Sequence, residues 1–163
     1  MGHGNTDIER TYFEKIKYNK REIRCTKPKL INEKSKTMNR YLKHNFKELS
    51  VWQKSRALVK EMYQMTKKFP AEERFELVSQ MKRSVISIAS NIAEGSGRNS
   101  NKDFRRFLGM SLSSSYELET QLILSSDLGF INKGDLDCMS KQLVEIQKML
   151  FGLRKRLEYS KVE

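Results

Sequence analysis

The side chains best suited to chemistry in this sequence are basic, and most of them flank one glycine-rich stretch. Arg98, Lys102 and Arg105 follow i, i+4, i+7 spacing, so they share one face if they lie on one helix. Such a set of cations can contact the phosphates of nucleic acid. The alternative is a solvated face that binds nothing. The candidate nucleic-acid-binding residues are Lys82, Arg83, Arg98, Lys102, Arg105 and Arg106.

Two structural alternatives compete with this interpretation. Arg83 and Glu94 could instead form ion pairs within or between subunits. The cations at 154–156 close the last helical segment, where positive charge opposes the negative end of the helix dipole. They could also bind RNA, but the dipole is sufficient reason for them.

The glycine-rich stretch 95–100 is not a phosphate-binding P-loop, because it lacks the G-K-[ST] ending and a preceding strand. A loop that leads into a helix can still hold an anion on free backbone N–H groups. The simpler interpretation is a turn between helices. There Gly95 ends one helix in the left-handed conformation, and Ser100 caps the next.

No catalytic or metal-binding constellation is evident. His3 and His44 both lie outside the predicted helices, so no Glu-x-x-His pair or histidine-activated nucleophile can form within them. Cys25 and Cys138 are far apart and lack C-x-x-C spacing, which indicates reduced cysteines. We therefore predict that the protein is not an enzyme and has no metal or cofactor, although a carboxylate–lysine site stays open.

The chain is strongly basic, with 32 Lys and Arg against 20 Asp and Glu and a formal net charge of +12. This charge favours a polyanionic partner, namely RNA, DNA or an anionic membrane surface. A soluble protein with a basic tail is the alternative. The sequence has no apolar run of about 18 residues and no signal-peptide core, so we expect a cytoplasmic protein that does not span a membrane.

Residues 1–45 differ from the rest, since they carry +7 of the net charge. Ile8, Tyr12, Phe13 and Ile16 are spaced as one short amphipathic helix. This basic N-terminal extension could dock on nucleic acid. Alternatively it is a disordered tail, or translated sequence ahead of a natural start near Met38.

Residues 46–160 show helical periodicity throughout and only two prolines occur in the chain, which predicts an all-α domain. Helix one begins at Ser50, where Ser50 and Gln53 have capping-box spacing. Its buried stripe is predicted to be Trp52, Val59, Met62, Tyr63 and Phe69, with Trp52 as a core anchor rather than a base-stacking residue.

The other three helices have clearer stripes. Helix two runs from Pro70 to about Glu94, and its stripe is Val78, Met81, Val85, Ile88 and Ile92. Helix three spans about Asn101 to Leu128, with Phe104, Phe107, Leu108, Ser111, Ser115, Leu118 and Leu122 buried, and its serines admit a close neighbour. Leu128-Gly129-Phe130 fits a helix stop. Helix four carries a heptad of Leu136, Met139, Leu143, Ile146, Leu150, Leu153 and Leu157.

Four such helices joined by short turns predict an antiparallel up-down-up-down four-helix bundle. From residue 46 to about 157 the chain also resembles the four-helix-bundle proteins encoded in intervening sequences of bacterial large-subunit ribosomal RNA genes. The motifs that carry the resemblance are FKELSVWQK at 46–54, FP at 69–70 with ER at 73–74, SQMKRS at 79–84, NIAEG at 91–95 followed by Gly97-Arg98, FRRFL at 104–108 and ELETQL at 117–122. The chain departs from the family pattern at four positions. Ala89 replaces a frequent proline, Lys82 replaces an arginine, and Ser111 and Ser113 replace Ala and Gly.

The resemblance implies a homo-oligomer, specifically a homopentameric ring, and a role in RNA or DNA binding. It also implies, as an alternative, an accessory or scaffold subunit that binds a protein such as the reverse transcriptase of a diversity-generating retroelement. The family supplies no catalytic residues that can be carried over to this chain.

Overall fold

Four α-helices form the domain in the computed structural model, which describes residues 45–159. They are α1 (Ser50–Met65), α2 (Leu77–Ser96), α3 (Asn101–Asp127) and α4 (Lys133–Tyr159). Short 3₁₀ helices precede α1 (Phe46–Glu48), follow it (Thr66–Lys68) and precede α2 (Ala71–Arg74). The described residues include no strand, and the predicted all-α four-helix bundle is confirmed.

Consecutive helices pack side by side, and α4 also returns to pack against α1, which closes the bundle. The bundle places the end of α2, the start of α3 and the end of α4 together. The predictions for residues 1–44, including the short amphipathic helix, lie outside the described residues.

The core is built from the stripes predicted for the last three helices. Every predicted stripe residue of α2 is buried, and so are those of α4 from Met139 onward, whereas Leu136 is partly buried. In α3 only Phe107 of the predicted set is not fully buried. Regular spacing of aliphatic residues predicts burial well here, since rotating any of these helices would expose its regularly spaced stripe to water.

The serines of α3 form part of its contact with α2. The Ser111 hydroxyl donates to the backbone oxygen of Ile88 at 2.9 Å, and the hydroxyls of Ser87 and Ser114 lie 2.9 Å apart. Small side chains let the two backbones approach, and these hydrogen bonds satisfy hydroxyls that would otherwise be buried at a cost. The prediction that these positions admit a close neighbour is confirmed.

The prediction for α1 was right only in part. Met62 and Phe69 are buried as predicted and Val59 is partly buried against the core, whereas Tyr63 is 40% exposed. The core residues of α1 that the prediction missed are Val51, Ser55, Leu58 and Met65. Ser55 can be buried because its hydroxyl donates to the Val51 carbonyl one turn earlier. Trp52 is half-buried, packs against the core and meets the Phe46 ring edge-on, so it serves as an anchor at the margin of the core.

The predicted capping box at the start of α1 was also wrong. Leu49 is the N-cap and makes no side-chain hydrogen bond, while the Gln53 amide donates to the Lys47 carbonyl. The preceding 3₁₀ turn explains this difference. Asn45 caps that turn, and the chain continues from the turn through Leu49 into α1. Similarly, Pro70 precedes a 3₁₀ turn, and α2 itself begins only at Leu77.

Glycines mark two features of the helix ends. Gly129 has φ of +75°, which ends α3 as predicted. Gly95 was predicted to be left-handed, but it lies buried within α2. A Cβ there would come within 2.7 Å of the Phe104 ring and of Phe107 Cβ, so Gly95 is required by the close approach of α3. Ser100 caps α3 as predicted, since its hydroxyl accepts from the Asp103 N–H at 3.0 Å.

Candidate functional site

The first turns of α3 lie beside the last turns of α4, and both helices are basic there. An ion pair spans this contact, in which Arg105 Nη2 lies 3.0 Å from Glu158 Oε1. We call this region, with the adjoining end of α2, the basic end of the bundle. Its cations are Arg98, Lys102, Arg105, Arg106, Arg154, Lys155 and Arg156, and its carboxylates are Glu94, Asp103 and Glu158.

Arg98 does not share a helix face with Lys102 and Arg105, contrary to the prediction from spacing. It lies in the turn before α3, where helical periodicity does not apply. Its guanidinium forms an ion pair with Glu94 and stacks on the Phe107 ring, 4.5 Å from the centroid. The predicted alternative, that Arg83 and Glu94 form ion pairs, holds for Glu94, which pairs with Arg98, whereas Arg83 forms no ion pair within the described residues 45–159.

Lys102 and Arg106 are the most available of the predicted cations. Both are exposed, both lie in the first two turns of α3, and neither forms an ion pair with another residue of the described range 45–159. Arg105 is held between α3 and α4 by Glu158, and its side chain is 35% exposed. Lys102 and Arg106 can therefore reach a phosphate without breaking an existing contact, whereas Arg105 cannot.

Lys82 and Arg83 lie away from this group. They are in the second turn of α2, which at 1.5 Å per residue is roughly 20 Å from the end of that helix. The Lys82 ammonium lies 5.0 Å from the centroid of the Tyr63 ring, and Arg83 borders a shallow depression with Ile86 and Glu117. The structure therefore separates the six predicted residues into two groups.

Several residues at the basic end were missing from the predicted site. Arg154 and Lys155 border a pocket of about 260 Å³ together with Phe151, Tyr159, Glu158 and Arg105. The three cations at 154–156 were evident in the sequence, but there they were explained by the negative end of the helix dipole, which they oppose. Phe151 and Tyr159 do not occupy the core positions of the α4 heptad, and this indicates from sequence that they face outward.

The remaining surface offers little for catalysis. A groove of about 530 Å³ between α1 and α4 is bordered by Lys60, Lys68, Asp135 and the exposed Cys138. Among the described residues, no group of three or more His, Cys, Asp or Glu is placed to hold a metal ion. No described helix is long and apolar enough to cross a membrane.

Together, fold and site define a small four-helix-bundle protein with a concentration of cations at one end. The family model of 23S rRNA-intervening sequence proteins matches residues 47–152. The chain belongs to this family, as its sequence motifs predicted.

A solved structure supports the assignment. It is a protein of Bacteroides thetaiotaomicron described as having unknown function and coming from the S23 ribosomal protein family. It is 27% identical, the match covers 64% of this chain and 98% of that one, and the TM-score is 0.61. A comparison with curated proteins gave no match.

Proposed function

We propose that this protein is a non-enzymatic, homo-oligomeric bundle that binds nucleic acid, with RNA as the first candidate, through the phosphates. The observation that carries the proposal is the convergence of α3 and α4 cations at the basic end. Seven cations meet three carboxylates there, and Glu94 and Glu158 are each engaged by an arginine. The family description, which refers to an rRNA intervening sequence, supports RNA as the first probe.

The geometry favours phosphate contacts over the reading of base edges. Lys102 and Arg106 are exposed on a convex helix surface, and flexible cations on such a surface match the backbone charge of any sequence. No reaction is assigned to the site, since the described residues combine no histidine or metal cluster with this charge.

Binding should weaken steeply with salt, because each phosphate contact releases counterions. A filter-binding titration of the full chain on single-stranded RNA should give a linear decrease of log K with log salt. The slope should be about −0.7 for each phosphate contacted. No association at low salt, or an affinity that salt leaves unchanged, would contradict the proposal.

Self-association is supported by apolar side chains that α3 leaves exposed. We call them the outer surface of α3. They are Met110, Tyr116, Ile123, Leu124 and Leu128, between 46% and 60% exposed. Large apolar groups in this number on one helix are typical of a protein interface.

The homopentamer that the family resemblance implies should appear in solution at about five times the 19.2 kDa chain mass. Ile123→Lys combined with Leu124→Lys should lower that mass, because two charges would be buried without partners. Light scattering after size-exclusion chromatography measures the mass of the wild-type protein and of the double variant. Phe75→Lys is the control, since Phe75 is 84% exposed outside this surface. A wild-type protein of single-chain mass would refute self-association.

The second candidate function is a scaffold that binds another protein, for example a reverse transcriptase, through the same outer surface of α3. The exposed apolar groups that favour self-association favour this candidate equally. A retroelement beside the gene would support the scaffold function, whereas a reading frame inside a ribosomal RNA gene would support nucleic-acid binding.

A further inference from the structure

We propose that the α3–α4 pocket selects single-stranded nucleic acid, by stacking an unpaired base on Phe151 or Tyr159 while Arg154 and Lys155 contact the adjoining phosphates. This inference rests on the proposed nucleic-acid binding and adds which form of the polymer is bound and how. We call this site the stacking pocket. It is bordered by Arg105, Phe151, Arg154, Lys155, Glu158 and Tyr159.

The aromatic rings are placed for a ligand rather than for the core. Phe151 is 62% exposed and Tyr159 is 73% exposed, although large aromatic side chains are usually buried. Lys155 lies four residues from each, so the three side chains follow one face of α4 with an aromatic at either end. The rings are roughly 12 Å apart along the helix. A cation between two exposed rings is the pattern that binds a stacked base and its phosphate.

The cations of the stacking pocket keep unused hydrogen-bonding capacity. The Arg154 guanidinium lies across Gly109 of α3, where a Cβ on the glycine would be 3.9 Å from it. Its Nε is buried without an acceptor, and neither Arg154 nor Lys155 forms an ion pair within the described residues. Among the described residues that border the pocket, Glu158 is the one carboxylate, and Arg105 pairs with it. The pocket therefore keeps the positive charge of Arg154 and Lys155.

Size and chemistry together favour an unpaired base. At about 260 Å³ the pocket is smaller than typical small-molecule sites, which begin near 300 Å³. Bases within a duplex are already stacked on their neighbours, so their faces cannot meet a protein ring. A single strand exposes these faces, and every base has one. Selection of single strands therefore follows without recognition of sequence.

The test compares Phe151→Ala and Tyr159→Ala with the wild-type full chain by fluorescence anisotropy. The probes are one labelled RNA strand, the DNA strand of the same sequence and the corresponding duplexes. Because the base stacks on one ring or the other, at least one of the two variants should lose about 5- to 100-fold in affinity for both single strands, as loss of one stacked base predicts. Affinity for the duplexes and the salt slope should stay unchanged, since no charge is removed. Phe151→Leu should behave like Phe151→Ala, because leucine keeps the apolar volume but not the ring.

Phe75→Ala and Phe75→Leu are the matched controls, since the Phe75 ring is 84% exposed and lies outside both the stacking pocket and the outer surface of α3. They should leave every affinity unchanged, and thermal melts should show that all variants fold. Equal losses on single strands and duplexes, a loss confined to RNA, or equal losses in the controls would overturn the inference. Unchanged single-strand binding by both pocket variants would overturn it while leaving the proposed function in place. A wild-type protein that binds no probe would overturn both.

Discussion

Reversing two charges at the start of α3, with Lys102→Glu and Arg106→Glu together, is expected to weaken RNA binding by about 30- to 100-fold at 0.1 M salt. Two phosphate contacts are lost, and at a slope of about −0.7 for each contact, counterion release contributes roughly fivefold per contact at that salt concentration, to which the reversed charges add repulsion. The salt slope should also fall by about 1.4. Filter binding across a salt series measures both quantities.

Two further double variants make this result specific. Lys67→Glu with Lys68→Glu changes the charge equally at the opposite end of the bundle, and both lysines are exposed. Lys82→Glu with Arg83→Glu tests the cations that the structure separates from the basic end. Both should reduce affinity far less than the α3 variant. Equal losses in all three would show that net charge, and not the basic end, controls binding.

Replacing Gly95 with valine should lower the free energy of unfolding by about 3 kcal/mol, near the upper end of the range for an overpacked core. The first added carbon already meets Phe104 and Phe107 at 2.7 Å, and Phe107 Cβ cannot move away without moving the α3 backbone. The variant should therefore separate α2 from α3. Urea denaturation followed by circular dichroism measures the change.

Gly152→Ala is the matched control, because Gly152 lies within α4 and a Cβ there meets nothing within 4 Å. It should raise the free energy of unfolding by up to about 1 kcal/mol, the helix-propensity difference between the two residues. If Gly95→Val were as stable as the wild type, close packing would not be the reason for a glycine at position 95.

The sequence predicted the fold best where an apolar stripe has a single possible phase. In α4, leucine, isoleucine and methionine recur every three or four residues in one unbroken heptad, so the buried face is unambiguous. In α1, large aromatics compete with a small serine for the core. Trp52 and Tyr63 suggested one phase, but Ser55 is buried instead, because its hydroxyl is satisfied within its own helix.

The candidate site was predictable only in part, because it depends on which helix lies beside which. The cations at 98–106 and at 154–156 were both evident in the sequence. Their convergence follows from the packing of α3 against α4, which brings Arg105 and Glu158 into contact although they are 53 positions apart. Helical periodicity likewise could not show that Arg98 lies in a turn. Its hydrogen-bond partner, Glu94, is on the preceding helix.

The basic end and the outer surface of α3 are separated along one rigid helix: the cations lie in its first turns, and Ile123, Leu124 and Leu128 lie near its end. In a closed ring of identical copies, cyclic symmetry would put every basic end on the same rim. A long strand would then engage several copies at once, and avidity would multiply weak individual contacts. Apparent affinity would rise with strand length, and it would depend on leucines that never touch the polymer.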